Sequence, residues 1–475
     1  MKRLVSVLFV VVFGIASAQA DVSLPRIFTD HAVLQRDMAV PVWGTAEPGE
    51  KVTVKLGDAQ ADATADAQGK WSVKLPALKT NATGQDLTVS GKNTVTVKDV
   101  LIGDVWVCGG QSNMEWGLGS CNAREDIAAA DCPTLRRIKI KHRALPKPAS
   151  DVEGQWAVCT PNTAGGITAV GFYFARRIQK ETGVPIGLID DNIGGTRIEP
   201  WTPAEGFALE PTLAQIPAGV KEPVNNGTPM ALYNAMINPV VPYGIKGAIW
   251  YQGESNGGEG ESYYHKMRAL VNGWRKVWNQ GDFSFYFVQL ANWQKPNDNP
   301  AGGDGWAKVR MAQVQSLQIP NTGMAVTIDI GEAGDIHPKN KFDVGERLAL
   351  WALRDNYGKK DLVVSGPLYK SMKVEGNKIR LSFDHVGGGL MVGKKDGRNP
   401  TVEDKSGKLA RFAVAGEDKK WVWAEAVIDG PTVVVSSPDV AQPVAVRYAF
   451  SMNPEGCNLY NKDGLPASPF RTDEW

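Results

Sequence analysis

This chain of 475 residues has no excess of positive or negative charge, and no long run of like charges occurs in it. Lys and Arg number 52 against 51 for Asp and Glu. Because a nucleic-acid groove needs a surplus of basic residues on one face, nucleic acid is not indicated as a partner. Hydrophobic residues make up 43% and charged residues 22%, which is ordinary for a globular protein and argues against disorder. The near-neutral balance fits a neutral or weakly charged substrate.

Long hydrophobic runs are missing beyond the N-terminus, so no later segment predicts a membrane span. The N-terminus itself has the basic pair Lys2-Arg3, an apolar run over 4–15 and then Ala18-Gln19-Ala20. The run is too short to cross a bilayer core of about 30 Å as a helix, and the small-x-small pattern suits a signal peptidase. We therefore predict a signal peptide over 1–20, with an uncleaved anchor as the alternative. The mature protein is then exported, either periplasmic or secreted, and has no membrane partner after cleavage.

The chain has few cysteines. Because their number is odd, at least one thiol is free or takes part in an intermolecular bond. The five positions are Cys108, Cys121, Cys132, Cys159 and Cys457. In an oxidising compartment disulfides are plausible, and we predict Cys121 with Cys132 because they enclose a short polar segment. Cys108 ends an apolar run and is expected to be a buried, unreactive side chain. No spacing matches a zinc site and no motif demands a metal, so we predict neither metal nor cofactor.

Short β-like runs and turn residues over about 22–100 predict a small β-sandwich. From residue 101, apolar strands alternate with amphipathic helices, which predicts a parallel sheet covered on both faces. The predicted strands are 101–107, 184–189, 248–251, 283–290 and 324–330, and the predicted helices are 172–180, 263–278, 306–317 and 344–356. After about 361 the chain returns to β character. The predicted division is a signal peptide 1–20, an N-terminal β-sandwich domain 21–100, an α/β catalytic domain 101–360 and a C-terminal β-rich domain 361–475.

Four glycine-containing polar segments follow predicted strands, at the edge of a parallel sheet where ligands gather. They are 109–114 (Gly-Gly-Gln-Ser-Asn-Met), 192–196 (Asn-Ile-Gly-Gly-Thr), 250–256 (Trp-Tyr-Gln-Gly-Glu-Ser-Asn) and 329–338 (Asp-Ile-Gly-Glu-Ala-Gly-Asp-Ile-His-Pro). Ser112 stands on a glycine-supported turn where a substrate can approach, although the Gly-x-Ser-x-Gly elbow of α/β-hydrolases is absent. Taken singly, each segment is also consistent with an ordinary turn.

Each of the other three segments offers a chemical group. A glycine pair lets a backbone N–H approach an oxyanion closely, and Gln252 could offer a side-chain amide to the same oxygen. Glu254 could orient a partner or be solvated. His337 follows the last strand with Asp335 two residues before it, which suits a base near neutral pH. His31, His142, His265 and His385 lack this setting and are interpreted as structural or exposed.

Together these segments resemble the sialate O-acetylesterase family, a branch of the SGNH (GDSL-like) hydrolases. The matching motifs are Gly-Gln-Ser-Asn-Met, Gly-Gly-Thr-x-Ile-Glu-x-Trp over 194–201, Trp-Tyr-Gln-Gly-Glu-Ser-Asn, and Asp-Ile-His-Pro-Lys-Asn-Lys over 335–341. The likeness extends from Leu34-Gln35-Arg36 to 458–472 and so covers nearly all of the mature chain. It implies an α/β fold, with a flavodoxin-like SGNH hydrolase domain built on a parallel sheet and flanked by N-terminal and C-terminal β domains.

The resemblance also implies roles for individual residues. Ser112 is the expected nucleophile and His337 the expected base. The expected oxyanion hole combines the N–H of Ser112, the N–H of Gly195 (or Gly194) and the amide of Gln252.

Two departures from the family pattern matter. Most SGNH enzymes have Asp-x-x-His, whereas this chain has Asp335-Ile336-His337. Asp335 is the first choice for the acid that orients His337, and Glu254 or a backbone carbonyl is the alternative. The segment between Trp201 and Met230 is also shorter than in many bacterial relatives, which suggests an open site that could admit a polymer.

The predicted function is that of an exported serine esterase that removes O-acetyl groups from a carbohydrate. Acetylated plant hemicellulose (xylan or xyloglucan) or its oligosaccharides is favoured as substrate, and sialate 9-O-acetylesterase is the alternative. A sialate site needs a cation for the substrate carboxylate, for which Arg197 is a candidate; it could equally be a salt-bridged surface residue. Indoles near the motifs could stack on sugar faces or belong to the core; these are Trp116, Trp201, Trp250 and Trp293.

Two rival functions remain at this stage. A non-catalytic carbohydrate-binding protein on a hydrolase scaffold would be expected to have lost Ser112 or His337, and both are present. A lipase or thioesterase would need an apolar acyl groove. The sequence leaves the oligomeric state unknown.

Overall fold

The computed structural model describes residues 21–216, 220 and 222–475. The predicted signal peptide therefore lies outside the described residues. Within the described part, no helix is both long and apolar enough to cross a membrane.

The N-terminal part is built from short strands that end in one long strand. They are β1 Val33–Gln35, β2 Val40–Thr45, β3 Lys51–Leu56, β4 Ala59–Thr64, β5 Lys70–Leu75, β6 Asn81–Ser90 and β7 Thr94–Gly110. In β3 and β5 every second side chain is buried, as expected for strands with one face on a core. Strand β7 pairs with β6 in its first half, so the N-terminal strands join the central sheet through it.

The central sheet carries the rest of the strands that surround the site. They are β8 Cys132–Lys139, β9 Trp156–Cys159, β10 Ile186–Asn192, β11 Gly247–Tyr251, β12 Ser284–Val288 and β13 Thr322–Ala325. The order is β13-β12-β11-β7-β10-β8-β9. Every neighbouring pair is parallel except β8 and β9, which are antiparallel.

Helices cover both faces of this sheet, as the alternating pattern predicts. They are α1 Ser112–Glu115, α2 Arg124–Ala128, α3 Pro161–Ala164, α4 Ala169–Thr182, α5 Ala204–Ala208, α6 Tyr263–Trp278, α7 Gly305–Gln315 and α8 Lys341–Asn356. Helices α4 and α8 pack on one face and α6 and α7 on the other. The strands β10, β11 and β12 are buried along their whole length, because neither face meets water.

The C-terminal part consists of antiparallel strands around a core of its own. They are β14 Leu368–Glu375, β15 Lys378–Asp384, β16 Leu390–Lys394, β17 Val402–Glu403, β18 Phe412–Ala415, β19 Trp421–Trp423, β20 Glu425–Asp429, β21 Thr432–Ser436, β22 Ala445–Tyr448, β23 Leu459–Asn461 and β24 Phe470–Arg471. They form three small sheets in the orders β14-β15-β21-β20, β17-β16-β23 and β19-β18-β22-β24.

The predicted α/β architecture with β regions on either side is therefore present. The proposed boundary between residues 100 and 101 falls inside β7, so the N-terminal strands and the central sheet share a strand. The boundary at 360 falls between α8 and β14. The division into separate domains stays a prediction.

The predicted Cys121–Cys132 disulfide is wrong for this structure. All five cysteines lie among the described residues and are free there. Cys121 lies after a short helical turn, whereas Cys132 begins β8 and faces Cys159 of β9. Strand pairing thus gives Cys132 a different neighbour from the one that sequence spacing suggests.

Candidate active site

The predicted nucleophile stands where the central strand meets a helix. β7 ends at Gly110, whose φ of +133° lies in the region that favours glycine. A Cβ at Gly110 would lie 2.2 Å from the carbonyl oxygen of Tyr251, so a larger residue would push β7 and β11 apart. The chain then turns through the buried Gln111 into α1, which begins at Ser112. Ser112 is half-buried at the carboxyl edge of the sheet.

Tertiary structure brings His337 and Asp335 to this serine. His337 Nε2 lies 2.9 Å from Ser112 Oγ, although the two residues are 225 positions apart. On the other side of the ring, His337 Nδ1 lies 3.2 Å from Asp335 Oδ1, which also accepts the backbone N–H of His337 at 2.9 Å. The two-residue spacing therefore lets one carboxylate hold both the ring and the backbone of His337. The three groups have the geometry of a nucleophile, a base and an orienting acid.

Two opposing effects set the pKa of His337. Burial lowers its pKa below the usual histidine value, and the nearby Asp335 carboxylate partly offsets this. Asp335 itself has a pKa lowered to about 2, first because Lys339 Nζ donates to it at 2.7 Å and then because the His337 backbone does. At neutral pH His337 is therefore neutral and Asp335 ionised. A neutral imidazole is the form that accepts a proton from a serine.

An indole supports the histidine ring from one side. Trp116 stacks on His337 with ring centroids 4.4 Å apart and an angle of 15° between the planes. Lys339 Nζ lies 4.3 Å from the Trp116 ring centroid, so the same lysine binds both Asp335 and Trp116. Trp116 is half-buried, and one face of its ring is covered by His337.

The glycine pair after β10 lies against the serine. A Cβ at Gly194 would be 3.3 Å from Ser112 Cβ, and the N–H of Gly194 already donates to Glu115 Oε2 at 2.6 Å. Gly195 has a φ of +72° and open space around it, and its N–H has no acceptor among the residues that the structure describes. The N–H of Ser112 is the first of α1 and so has no intrahelical acceptor. The geometry therefore favours Gly195 over Gly194 as an oxyanion donor beside Ser112.

The structure does not place Gln252 as a direct oxyanion donor. Its side chain is fully buried, and Nε2 hydrogen bonds to Gln111 Oε1 at 3.1 Å, Thr196 O at 3.2 Å and Asn256 Oδ1 at 2.8 Å. Since an amide has two N–H groups, these acceptors within the protein use them fully. Gln252 instead ties the serine turn to the loop that carries Gly195.

Glu254 does not hold the histidine either. Its Oε1 accepts from Asn113 Nδ2 at 2.5 Å, and burial raises its pKa. Asn113 also donates to the carbonyl of Ile336 at 3.0 Å. Glu254 therefore reaches the histidine loop only through Asn113, which leaves Asp335 as the carboxylate that contacts the ring.

Sequence reasoning missed three residues that organise the site. Lys341 is buried and donates to Asn113 Oδ1 at 2.5 Å and to Pro338 O at 2.8 Å, and burial lowers its pKa to about 8. Lys341 and Asn113 together join the serine turn to the histidine loop. Glu115 binds Gly194 and lies 3.1 Å from His142 Nε2. Asn113 and Lys341 fall inside the motifs over 109–114 and 335–341, so motif membership was the available signal.

The two predicted substrate-binding residues have other partners. Arg197 forms ion pairs with Glu199 and Glu259, and Lys266 binds the same two carboxylates. Trp201 is fully buried and donates from Nε1 to Thr196 Oγ1 at 3.0 Å, so this structure does not present it to a substrate.

The two remaining candidate indoles also pack inside the protein. Trp250 is buried against Trp201 with ring centroids 6.2 Å apart. Trp293 is half-buried against Trp306. Of the four indoles near the motifs, Trp116 alone borders the serine and histidine.

Comparison with known proteins places these features in a family. The family model described as "Carbohydrate esterase, sialic acid-specific acetylesterase" matches residues 102–354. A sialate O-acetylesterase from Homo sapiens is 30% identical over 92% of this chain and 90% of its own length, and one from Rattus norvegicus is 28% identical over 93% and 92%. The crystal structure of a carbohydrate acetylesterase from Xanthomonas citri aligns with a TM-score of 0.86, at 40% identity over 96% of this chain and 100% of that chain. The family model covers the parallel sheet, and the matches to the individual relatives also include the flanking β regions.

Proposed function

Because the chain belongs to the sialic acid-specific acetylesterase family of carbohydrate esterases, and is thus a carbohydrate acetylesterase, we propose that it deacetylates a neutral polysaccharide with Ser112 as nucleophile. Acetylated xylan or xyloglucan, or an oligosaccharide of either, is the proposed substrate. The observation that carries the proposed mechanism is the hydrogen bond of 2.9 Å between His337 Nε2 and Ser112 Oγ.

In the first half-reaction, Ser112 Oγ bonds to the carbonyl carbon of the acetyl ester while its proton passes to His337 Nε2. Asp335 accepts from Nδ1 and stabilises the imidazolium that forms. The carbonyl oxygen becomes an oxyanion facing the N–H groups of Gly195 and Ser112. Loss of one such donor costs about 3 kcal/mol of transition-state stabilisation. His337 then gives its proton to the sugar oxygen as the carbon–oxygen bond breaks, which leaves the acetyl group on Ser112.

In the second half-reaction, His337 takes a proton from water, and the hydroxide equivalent attacks the acetyl carbon on Ser112. The same two N–H groups face the second oxyanion. Collapse of this intermediate releases acetic acid, which loses its proton to water and becomes acetate, and His337 returns its proton to Ser112 Oγ. No other group has to change its protonation state in this scheme.

The charges around Arg197 support a neutral substrate over a sialate. Arg197 and Lys266 share Glu199 and Glu259, so two positive charges meet two negative ones. A sialate carboxylate would have to displace one of these ion pairs, whereas a neutral sugar leaves them intact. The relative from Xanthomonas citri is named for carbohydrates in general, while the mammalian relatives are named for sialate, which keeps sialate as the alternative substrate.

The test is acetate release by the mature protein from acetylated xylan, acetylated xyloglucan and 9-O-acetyl sialic acid. Ser112→Ala should reduce release to background, and Ser371→Ala, at an exposed strand position, should leave it unchanged. Release from the plant polymers with little from sialic acid supports the proposal. The reverse preference would make the protein a sialate esterase, and release that survives in Ser112→Ala would refute the proposed nucleophile.

Arg197→Ala separates the two substrates further. We expect no change with acetylated xylan, because a neutral sugar needs no cation at this position. A selective loss with 9-O-acetyl sialic acid would show that Arg197 binds the substrate carboxylate.

We also infer export of the mature protein. The support is the basic start, the apolar run and the small-x-small pattern within residues 1–20. N-terminal sequencing of the protein from its native host should give Asp21 or a close neighbour as the first residue. A protein that still begins at Met1 would contradict export by cleavage.

A further inference from the structure

The exposed tryptophans of this protein are concentrated in one place. Of the fifteen Trp residues, all within the described part, only Trp423 and Trp475 are classed as exposed, at 42% and 43%. Both lie in the C-terminal β region, next to the half-buried Trp421. Single exposed apolar side chains are common on protein surfaces, whereas a contiguous group of them marks an interaction site.

The three indoles follow one another in space. Trp421 and Trp423 are two residues apart in β19, so they lie on the same face, about 6.6 Å apart along the strand. The ring centroids of Trp421 and Trp475 are 6.4 Å apart with an interplanar angle of 34°. β19 pairs with β18 alone and is an edge strand. We call Trp475, Trp421 and Trp423 the indole strip.

Cations back each ring of the indole strip. The guanidinium of Arg447 lies 4.1 Å from the Trp421 centroid, that of Arg411 lies 5.5 Å from Trp423, and Lys419 Nζ lies 5.0 Å from Trp475.

Arg447 and Arg411 are themselves held in place by other groups of the protein. Arg447 binds Asp473 at 2.6 Å, and Arg411 donates to the carbonyls of Asn297 and Glu455. Because one side of each ring is occupied by a cation, the exposed area lies on the remainder of the ring. Trp421 and Trp423 are therefore held by arginines whose own positions are fixed by hydrogen bonds.

A polar cleft begins at the indole strip. The cleft has a volume of about 540 Å³ and is lined by Glu259, Glu261, Lys308, Arg471 and Trp475, among others. Glu259 forms the ion pair with Arg197, two residues after Gly195. The cleft is therefore lined both by an indole of the strip and by a carboxylate that binds the loop of Gly195.

We propose that the indole strip binds the glycan chain of the polymeric substrate outside the active site, so that the chain runs from Ser112 through the cleft to Trp423. This inference rests on the proposed function. Pyranose rings present C–H faces that stack on indoles and hydroxyls that suit a polar cleft. A protein partner would need roughly 1,000 Å² of complementary surface, which three spaced rings do not supply. The favoured occupant is a neutral polysaccharide such as the xylan backbone.

Binding is tested in the Ser112→Ala background, where turnover cannot interfere. The probes are deacetylated xylan and acetylated xylan, and affinity is measured by retardation in gels that contain each polymer. The variants are Trp423→Ala combined with Trp475→Ala, and the control is Val427→Ala, an exposed apolar residue of β20. We expect the double variant to bind either polymer about tenfold more weakly, as loss of two stacking contacts implies, and the control to bind normally.

Kinetics of the same substitutions in the active enzyme complete the test. On acetylated xylan KM should rise about tenfold with kcat retained, whereas kcat/KM on a small acetyl ester should stay unchanged. Trp423→Phe with Trp475→Phe should restore most of the polymer KM. Unchanged affinity for both polymers, or equal losses on polymer and small ester, would overturn the inference. The wild-type protein could release no acetate while, in the Ser112→Ala background, loss of the two indoles still weakens retardation in the gels. That result would refute the proposed substrate and would still support glycan binding by the indole strip.

Discussion

At the scale of the residue, chemistry depends on a few atoms whose neighbours decide their state. Ser112 Oγ, His337 and Asp335 form a line, and Lys339 and Trp116 set the charge and packing at its far end. Burial lowers the pKa of His337 more than Asp335 raises it. The imidazole therefore stays neutral, and able to accept a proton, below the pH at which an ordinary histidine is half protonated.

Asp335→Asn tests the orienting acid. The amide cannot stabilise the imidazolium as a carboxylate does, so we expect kcat to fall by about 10²- to 10⁴-fold. Loss of the carboxylate also removes the effect that raises the pKa of His337, so the acid limb of the kcat/KM profile should move to lower pH. The measurement is the pH dependence of ester hydrolysis. Glu254→Gln is the matched comparison: a shift of the limb in that variant, without one in Asp335→Asn, would make Glu254 the orienting acid.

A second residue-scale prediction concerns Asp191, which is fully buried in β10 with no hydrogen-bond partner for either carboxylate oxygen among the described residues. Burial raises its pKa to about 8, whereas the unfolded carboxyl titrates near about 3.9. Between about pH 4 and pH 8, the Asp191 carboxyl is therefore protonated in the folded state and ionised in the unfolded state. The stability that this provides is complete below about pH 4 and is lost as the pH rises to about 8.

Asp191→Asn removes this titration. We expect the variant to gain stability relative to wild type by about 4 kcal/mol at pH 9 compared with pH 5, because each pH unit between about 5 and 8 costs the wild type about 1.4 kcal/mol; the measurement is urea unfolding at the two pH values. Asp190→Asn provides the contrast, because Asp190 forms ion pairs with Arg137 and Lys139 and its loss should destabilise the protein at both pH values. A pH-independent difference between wild type and Asp191→Asn would contradict the raised pKa.

At the scale of the element, the parallel strands position the loops that carry the candidate site, and an antiparallel strand forms one edge of the sheet. Gly110, Asn192 and Tyr251 lie at the ends of β7, β10 and β11 and are aligned across the three strands. The loops that follow these ends carry Ser112, Gly195 and Gln252. Strand β9 ends the sheet by pairing antiparallel to β8, which places Cys132 opposite Cys159.

The β8–β9 pairing predicts a disulfide between Cys132 and Cys159 in oxidising conditions. Residues opposite each other in antiparallel strands have Cα atoms about 4.5–5.5 Å apart, within the disulfide range of about 4.4–6.8 Å. With glutathione disulfide as oxidant, the two thiols lose two protons and two electrons, and two glutathione thiols form. Alkylation in guanidinium followed by mass spectrometry should label Cys108, Cys121 and Cys457 alone.

Cys132→Ser is the control for this assignment, since it should leave Cys159 open to alkylation. A peptide that links Cys121 to Cys132 would contradict the strand-based pairing and restore the one that sequence spacing suggests.

At the scale of the whole molecule, buried arginines join the C-terminal β region to the central sheet. Arg310 of α7 donates to the carbonyls of Leu290 and Ala291 after β12 and to those of Ser451 and Met452 after β22. Arg347 of α8 binds Asp329, which also accepts from Tyr460 of β23. The C-terminal strands are therefore held to the helices and loops that surround the site.

Arg310→Met tests this connection. The substitution leaves the carbonyls of Leu290 and Ser451 without their donor, and each orphaned group costs about 1–3 kcal/mol, so we expect a loss of at least about 2 kcal/mol in the free energy of unfolding. Limited proteolysis should cut first near residues 451–452. Lys308→Met, at an exposed position of the same helix, is the control. Equal stability of Arg310→Met and wild type would mean that the C-terminal strands are held by their apolar core alone.

Local sequence information predicted the helices and the candidate reacting groups. Helix α6 has the predicted bounds, and α4, α7 and α8 differ from prediction only at their ends, because hydrophobic periodicity is local information. Ser112, His337 and Asp335 stand in motifs of contiguous residues, and the structure brings these three candidates together; their catalytic roles stay a prediction.

Only the tertiary structure decided which neighbouring groups are free to act. Gln252 and Trp201 lie in matching motifs yet are buried and hydrogen bonded inside the protein, and Cys132 faces Cys159 rather than Cys121. The roles of Lys341 and Glu115 appear only when distant segments meet. The physical reason is that hydrogen-bond partners and burial depend on contacts between residues far apart in the chain, which spacing along the sequence does not encode.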